Sequence, residues 1–271
     1  MTYRRIACLS TEAVETLYLL GAEDRIAGIS GFTTRPARAR REKPKVSGFS
    51  MAKPERILAV QPDLVVAFSD LQADIAHDLV RAGVEVHVYN QRDVAGILRM
   101  IASLAALVDA TAAGERLIAE LQQRLDGARR QAAERARRPR IYFEEWNDPL
   151  ISGIRWVSEL IDAAGGEDCF EPESHRGSAR ERIIADPLEV VRRAPDIIIG
   201  SWCGKKFQPE HVRTRPGWAD VPAVRRGDLH EIKSAAILSP GPAALTDGLA
   251  QLQRIVERWC EAGATAHNRN N

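Results

Sequence analysis

Pro54-Glu-Arg-Ile-Leu-Ala-Val-Gln-Pro62-Asp63-Leu-Val-Val-Ala-Phe68 aligns without gaps on Pro187-Leu-Glu-Val-Val-Arg-Arg-Ala-Pro195-Asp196-Ile-Ile-Ile-Gly-Ser201. Each copy reads as a short helix entered at a proline, whose fixed φ suits a first turn, and halted before a second proline, whose ring cannot continue it. An aspartate and an aliphatic run follow, the pattern of a buried strand. One such unit in each half predicts two α/β lobes of similar build. Facing lobes leave a cleft at the carboxyl ends of their strands, where small ligands usually bind.

Length and charge fit that reading. The chain has 271 residues, enough for two cores, since beyond about 250 residues single cores tend to split. Its 38 Lys and Arg nearly cancel its 37 Asp and Glu, so no global field favours nucleic acid, and the chain is expected to bind none. The basic runs Arg35 to Lys45 and Arg129 to Arg140 read as a solvated loop and a helix end. No stretch of roughly 18 apolar residues is present to span a membrane. Met1-Thr-Tyr-Arg-Arg leads straight into Ile6-Ala-Cys-Leu-Ser10 without an apolar leader core. The chain as written is therefore expected in the cytoplasm, and in the periplasm if a leader was removed. Cys8, Cys169, Cys203 and Cys260 lie far apart, as reduced thiols rather than a disulfide framework.

Strands and helices alternate along the first lobe. Ile6–Ser10 and Arg25–Ser30 read as strands around a helix that opens at Ser10-Thr11-Glu12 and ends at Gly21. The polar stretch to Pro44 reads as loop, and Val46-Ser47-Gly48-Phe49 as a strand running into a loop. After the first repeat unit come a helix over Leu71–Ala82 and a strand at Val84–Tyr89. Alternation of this kind favours a mainly parallel sheet. From Glu115 to Arg137 the spacing of Leu117, Ile118, Leu121, Leu125, Ala128 and Ala132 is helical. About 23 residues give a rod of roughly 35 Å, read as the connector between lobes. The expected organisation is an amino-terminal lobe over residues 1–112, a connecting helix over 113–138 and a carboxyl-terminal lobe over 139–271. In the second lobe Arg140–Glu145 reads as a strand, Trp146–Leu150 as a turn, Gly153–Ile161 as a helix, Phe170–Arg182 as a polar loop and about Leu245–Cys260 as the final helix.

Thr11-Glu12, Pro54-Glu55-Arg56-Ile57 with Pro62-Asp63, Trp218 with Val221-Pro222-Ala223-Val224, and Ser239-Pro240-Gly241-Pro242 occur in one order between about Arg5 and Glu261. This set resembles the class III, helical-backbone family of ABC-importer substrate-binding proteins that take cobalamin and iron siderophores. Glu145-Trp146-Asn-Asp-Pro149-Leu150, Trp156-Val157-Ser-Glu159-Leu160 and Cys203-Gly204 resemble a leaderless, cobalamin-binding-like subset of it. The resemblance implies two Rossmann-like lobes with mainly parallel sheets joined by a single long helix. It also implies a corrinoid, cobalamin-like ligand in the inter-lobe cleft, no required cofactor, a monomer, and the membrane subunits of an ABC importer as candidate partners. In the transport members a glutamate at the start of the repeat helix in each lobe meets arginines of those subunits. Glu55 matches the first; the second falls on Leu188, with Glu189 one helical step, about 100°, away. Docking at two points is therefore not expected, which favours a cytosolic ligand-handling role.

Strand ends supply the candidate ligand contacts. In the first lobe these are Phe32, Gly48, Phe49, Ser69 and Asp70; in the second, Trp146, His175, Arg176, Trp202 and Cys203. Aromatic faces suit a broad, flat, partly apolar chelate, and a few polar groups would orient it. Imidazole and thiolate suit transition metals, which makes His175 and Cys203 the candidate ligands to a metal centre, but no clustered ligand set accompanies them, so no metal site is assigned. Lys205, Lys206, Arg155 and Arg176 could meet ligand phosphate or carboxylates. The chain has no Gly-x-Ser-x-Gly elbow, phosphate-binding loop or His-Glu-x-x-His pair, and Glu144 and Glu145, adjacent on a strand, face opposite ways. Binding without turnover is the expected function. The alternatives are a cytosolic cobalamin-handling accessory or enzyme, and a binding protein for haem or an iron-siderophore chelate that serves an ABC importer.

Overall fold

The computed structural model describes residues 2–268. It divides into two compact units, Met1–Leu121 with Ser239–Pro242, and Gln122–Leu238 with Ala243–Asn271. No helix among the described residues is long and apolar enough to cross a membrane.

Unit 1 is a parallel sheet in the order β3-β2-β1-β4-β5. Its strands are β1 (Ile6–Cys8), β2 (Ile26–Ser30), β3 (Lys45–Ser47), β4 (Leu64–Phe68) and β5 (Val86–Tyr89). Between and after them run α1 (Thr11–Leu19), α2 (Ala39–Glu42), α3 (Pro54–Leu58), α4 (Ala73–Arg81) and α5 (Val94–Leu107), and α6 (Thr111–Ala133) starts in unit 1 and ends in unit 2. The central strands β1 and β4 are buried on both faces, which is why they read as unbroken aliphatic runs. Chain order reverses around β1, so the strand ends nearest it are the expected ligand edge of this doubly wound sheet.

Unit 2 has the order β10-β9-β6-β7, with β8 also paired to β6. Its strands are β6 (Arg140–Asn147), β7 (Leu150–Ser152), β8 (Glu167–Asp168), β9 (Ile197–Gly200) and β10 (Leu229–Glu231). All pairings are parallel except the β6–β7 hairpin. Helices α7 (Arg155–Ala163), α8 (Glu171–Ser174), α9 (Leu188–Arg193), α10 (Pro209–Arg213), α11 (Pro222–Arg226), α12 (Ser234–Ile237) and α13 (Leu249–Asn268) follow in order. The mainly parallel two-unit α/β fold is thus the one the sequence predicts.

The repeat is structural. Gln61 and Ala194, at matching positions, take φ of 46° and 45° and turn the chain out of α3 and α9 in the left-handed region. Asp63 then accepts the N–H groups of Arg4 and Arg5 at 2.7 and 2.9 Å beside β1, while Asp196 accepts that of Arg140 at 3.1 Å at the start of β6. Each aspartate also gives its own N–H to the carbonyl of that strand's entry residue, Arg5 at 2.9 Å and Arg140 at 2.7 Å. The aspartate after the second proline therefore locks the repeat strand to its neighbour in both units.

Five elements differ from the sequence reading. The long helix begins and ends about four residues earlier than its apolar spacing suggests, over Thr111–Ala133; Gly114 lets it approach α5, where an added Cβ would lie 2.5 Å from that of Ala105. Helix α5 escapes the reading altogether. The stretch Trp146–Leu150 is not simply a turn, because β6 continues through Asn147 into the hairpin. The two polar loops contain the short helices α2 and α8.

Candidate functional site

The carboxyl edge of unit 1 carries exposed apolar side chains. Phe32 follows β2 and Phe49 follows β3; they are 60% and 50% exposed, with ring centroids 6.1 Å apart in an edge-to-face arrangement. Met51, 80% exposed, stands in the loop after β3 with Phe49, and Leu71, 54% exposed, in the turn after β4. Exposed apolar groups gathered at one sheet edge mark a contact surface rather than a core.

Buried polar groups hold these loops in place. Gln72, almost fully buried, accepts the Phe68 N–H at 2.8 Å and donates to the carbonyls of Leu9 and Phe49 at 3.2 and 2.6 Å, tying the ends of β4 and β1 to the loop bearing Phe49. Ser30 accepts the Phe32 N–H at 3.3 Å and donates to the Gly48 carbonyl at 3.1 Å, joining the ends of β2 and β3. Gly48 itself bonds back to the Met51 carbonyl at 2.8 Å, where an added Cβ would meet that oxygen at 3.0 Å. Ser69 is buried at φ 55° and caps the next turn by accepting the Leu71 N–H at 3.2 Å. Asp70 is engaged by Arg92 at 3.0 Å, whose guanidinium also lies 5.6 Å from the Phe68 ring. The sequence reading finds Phe32, Gly48, Phe49, Ser69 and Asp70; it misses Ser30, Met51, Leu71 and Gln72.

Beside this edge, at the start of α1, lies a buried carboxyl. Glu12 is 4% exposed, one of its oxygens has no hydrogen-bond partner, and burial pushes its pKa up to about 7. The returning segment Ser239–Pro242 packs there: the Thr11 and Ser239 hydroxyls meet at 3.2 Å, Gln91 donates to the Pro240 carbonyl at 2.9 Å, and Gly241 leaves no room for a Cβ against that of Glu12. Two motifs distant in sequence, Thr11-Glu12 and Ser239–Pro242, are one packing unit.

In unit 2, Trp146 and Trp202 lie two residues beyond the paired residues Glu144 of β6 and Gly200 of β9. Trp146 donates its indole N–H to the Asp148 carbonyl at 2.8 Å and carries the Lys205 ammonium 4.0 Å from its ring centre. Trp202 is withdrawn into the core at 4% exposure; it donates to Glu144 at 2.9 Å and packs edge-on against Phe207. Glu144 and Glu145 do face opposite ways, and each is neutralised: Glu144 by a bidentate Arg215 at 2.5 and 2.8 Å, Glu145 by Arg182 at 2.6 and 3.3 Å. Cys203 is exposed as a residue, and burial of its sulfur, with the Glu145 charge, raises its thiol pKa. It remains a thiol at neutral pH.

His175 and Arg176 are not part of this edge. His175 bonds Glu171 at 2.7 Å and lines a cavity of about 560 Å³ with Arg138, Gly166 and Glu167, residues at the level where β6 begins. Six residue steps of strand, about 20 Å, separate that level from Trp146. Arg176 donates to the Glu181 carbonyl at 3.0 Å. Among the described residues no three His, Cys, Asp or Glu side chains gather as metal ligands.

The repeat helices differ at their exposed starts. Glu55 is exposed and has no ion-pair partner among the described residues. Glu189 is held by Arg193 at 2.8 Å and Arg192 at 2.7 Å, which lower its carboxyl pKa, and Leu188 is 47% exposed.

The profile of the family described as periplasmic binding protein matches residues 6–236. The vitamin B12-binding protein of Vibrio campbellii is 26% identical over 245 residues, which span 88% of this chain and 84% of that protein. The crystal structure of the periplasmic vitamin B12 binding protein of Vibrio cholerae shares this fold with a TM-score of 0.75 at 21% identity, covering 95% of this chain and 98% of that one. A periplasmic heme binding protein from Pseudomonas aeruginosa does so with a TM-score of 0.79 at 19% identity, covering 94% and 92%.

Proposed function

The chain belongs to the periplasmic binding protein family, and from that premise we propose that it binds a corrinoid, cobalamin-like chelate without turning it over. The observation that carries this reading is the exposed apolar edge of unit 1, where Phe32 and Phe49 stand edge-to-face and are pinned by Ser30 and Gln72. A flat, largely apolar ligand gains from such rings, each of which removes a large apolar area from water on contact. The vitamin B12-binding relative from Vibrio campbellii supports the corrinoid over other chelates. Non-catalytic binding is supported by the state of the polar groups. Both strand glutamates, Glu144 and Glu145, are neutralised by arginine, and the Cys203 thiol is pushed up rather than activated.

Haem and ferric chelates are the competing ligands, because a protein of this fold from Pseudomonas aeruginosa binds heme. Absorbance titrations of the purified protein with cobalamin, haem and a ferric hydroxamate separate them. Saturable binding of cobalamin at one equivalent, tighter than that of the other two, is expected. Saturable haem or ferric hydroxamate binding with none for cobalamin would overturn the corrinoid assignment.

A further inference from the structure

Unit 2 presents a different chemistry from the apolar edge of unit 1. Glu144 of β6 pairs with Gly200 of β9; Trp146 lies two residues further along β6 and Trp202 two residues beyond the end of β9. The turn after β9, with Gly204 in the left-handed region at φ 76°, brings Lys205 back over both rings. Its ammonium lies 4.0 Å from the Trp146 ring centre and 5.3 Å from that of Trp202.

An aromatic face holds a cation without cancelling its charge, because the ring offers a quadrupole and no net negative charge. A carboxylate would hold and neutralise it at once. The carboxylates near this edge are already committed elsewhere. Glu144 is taken by Arg215 and Trp202, Glu145 by Arg182, and Glu231 by Lys233 at 2.7 Å and the Phe207 N–H at 3.0 Å. The Asp148 carbonyl holds the Trp146 N–H, and Asp148 lines a separate, mainly apolar pocket with Leu188 and Trp218. Among the described residues Lys205 has no ion-pair partner, and it is exposed. Lys206 beside it adds a second positive charge, felt by Glu231. Glu144, Glu145 and Glu231 are thus paired, and Lys205 is left seated on the aromatic rings without an ion-pair partner among the described residues.

We infer that Lys205, seated on Trp146 and Trp202, is a specificity-determining residue of unit 2 that reads an anionic group of a corrinoid ligand. This inference rests on the corrinoid reading and deepens it: the anion is the phosphodiester of a complete cobalamin, which a cobinamide lacks. A ring carboxylate, as on haem, offers the same chemistry from another source. An ammonium–anion contact is charge-assisted, and screening by salt weakens it. The Trp146 face is then the support of the cation rather than a free surface for stacking.

Calorimetric titrations of wild type, Lys205→Met and Lys205→Arg with cobalamin and with cobinamide test this, and haem with its dimethyl ester identifies a carboxylate source. Thermal unfolding of each variant checks that the exposed substitution leaves the fold intact. The expected result is a loss of roughly tenfold or more in cobalamin affinity for Lys205→Met, about twofold or less for cobinamide, and most of the affinity restored in Lys205→Arg. A loss confined to haem and absent for its ester would keep Lys205 as the anion reader but overturn the phosphodiester as its target. Wild-type binding of both corrinoids with equal losses, or with no loss, in Lys205→Met would overturn this inference alone. No corrinoid binding by wild type would overturn the corrinoid reading, and the phosphodiester assignment with it.

Discussion

Burial raises the Glu12 carboxyl from its ordinary 4.5 to about 7, despite the hydrogen bond from Thr11 that pulls the other way. A raised carboxyl pKa means that the folded state binds this proton more tightly than the unfolded chain. The stabilisation is complete below about pH 4.5 and is lost as pH climbs towards 7. The implied loss across that window is on the order of 3–4 kcal/mol, by about 1.4 kcal/mol per pH unit. Asp168, which burial pushes up to about 6, acts with the same sign. Urea unfolding at pH 4.5 and pH 8 should therefore show wild type losing more stability than Glu12→Gln. Parallel losses in the two proteins would show that Glu12 does not carry the effect. At this scale the sequence discloses residues whose position on an element is enough: Phe32 and Phe49 beyond strand ends, Glu144 and Glu145 on opposite faces. Gln72 and Ser30 stay hidden, since their roles rest on hydrogen bonds to Leu9, Phe49 and Gly48, which no local pattern encodes. Trp202 looks like a surface aromatic until Glu144 is seen to accept its N–H inside the core.

Among the elements, the repeat helices were legible because prolines frame them, and the aspartate that ends each one makes the same bond to a neighbouring strand. Their starts have diverged. Glu55 of α3 is exposed and has no ion-pair partner among the described residues, whereas on α9 the matching place is Leu188 and the neighbouring Glu189 is committed to Arg192 and Arg193. An importer reached through paired glutamates, as the family resemblance implies, would find a free carboxylate on unit 1 alone. In pull-downs with candidate importer membrane subunits, Glu55→Ala should lower recovery at least roughly tenfold and Glu189→Ala should leave it nearly unchanged. Equal losses for the two variants would show that Glu189 serves despite its arginines. Helix α5 is hidden in the sequence by its flanks. Asp93 caps it by accepting the Gly96 N–H at 2.6 Å, and Val94, Ile97, Met100, Ile101 and Leu104 form its buried face. The apolar spacing was visible there, but a glycine in the first turn and a polar Asn90-Gln91-Arg92 lead-in resemble loop. The continuation of β6 past Trp146 depends on pairing with β7, a contact made only once the hairpin closes.

For the whole molecule, alternation of strands and helices together with one internal repeat suffices to predict two mainly parallel-sheet units. Unit 1 offers exposed apolar side chains at its strand ends, and unit 2 offers a cation on aromatic supports. The flat apolar body of a chelate suits the first of these surfaces. The account stands on Phe32 and Phe49 as the surface that receives that body. Calorimetric titration of cobalamin into wild type, Phe32→Ala and Phe49→Ala measures this directly. Loss of one well-packed aromatic contact is expected to cost on the order of 1–3 kcal/mol, roughly ten- to hundredfold in affinity, in each variant. Cobalamin affinity unchanged from wild type in both variants would contradict the account.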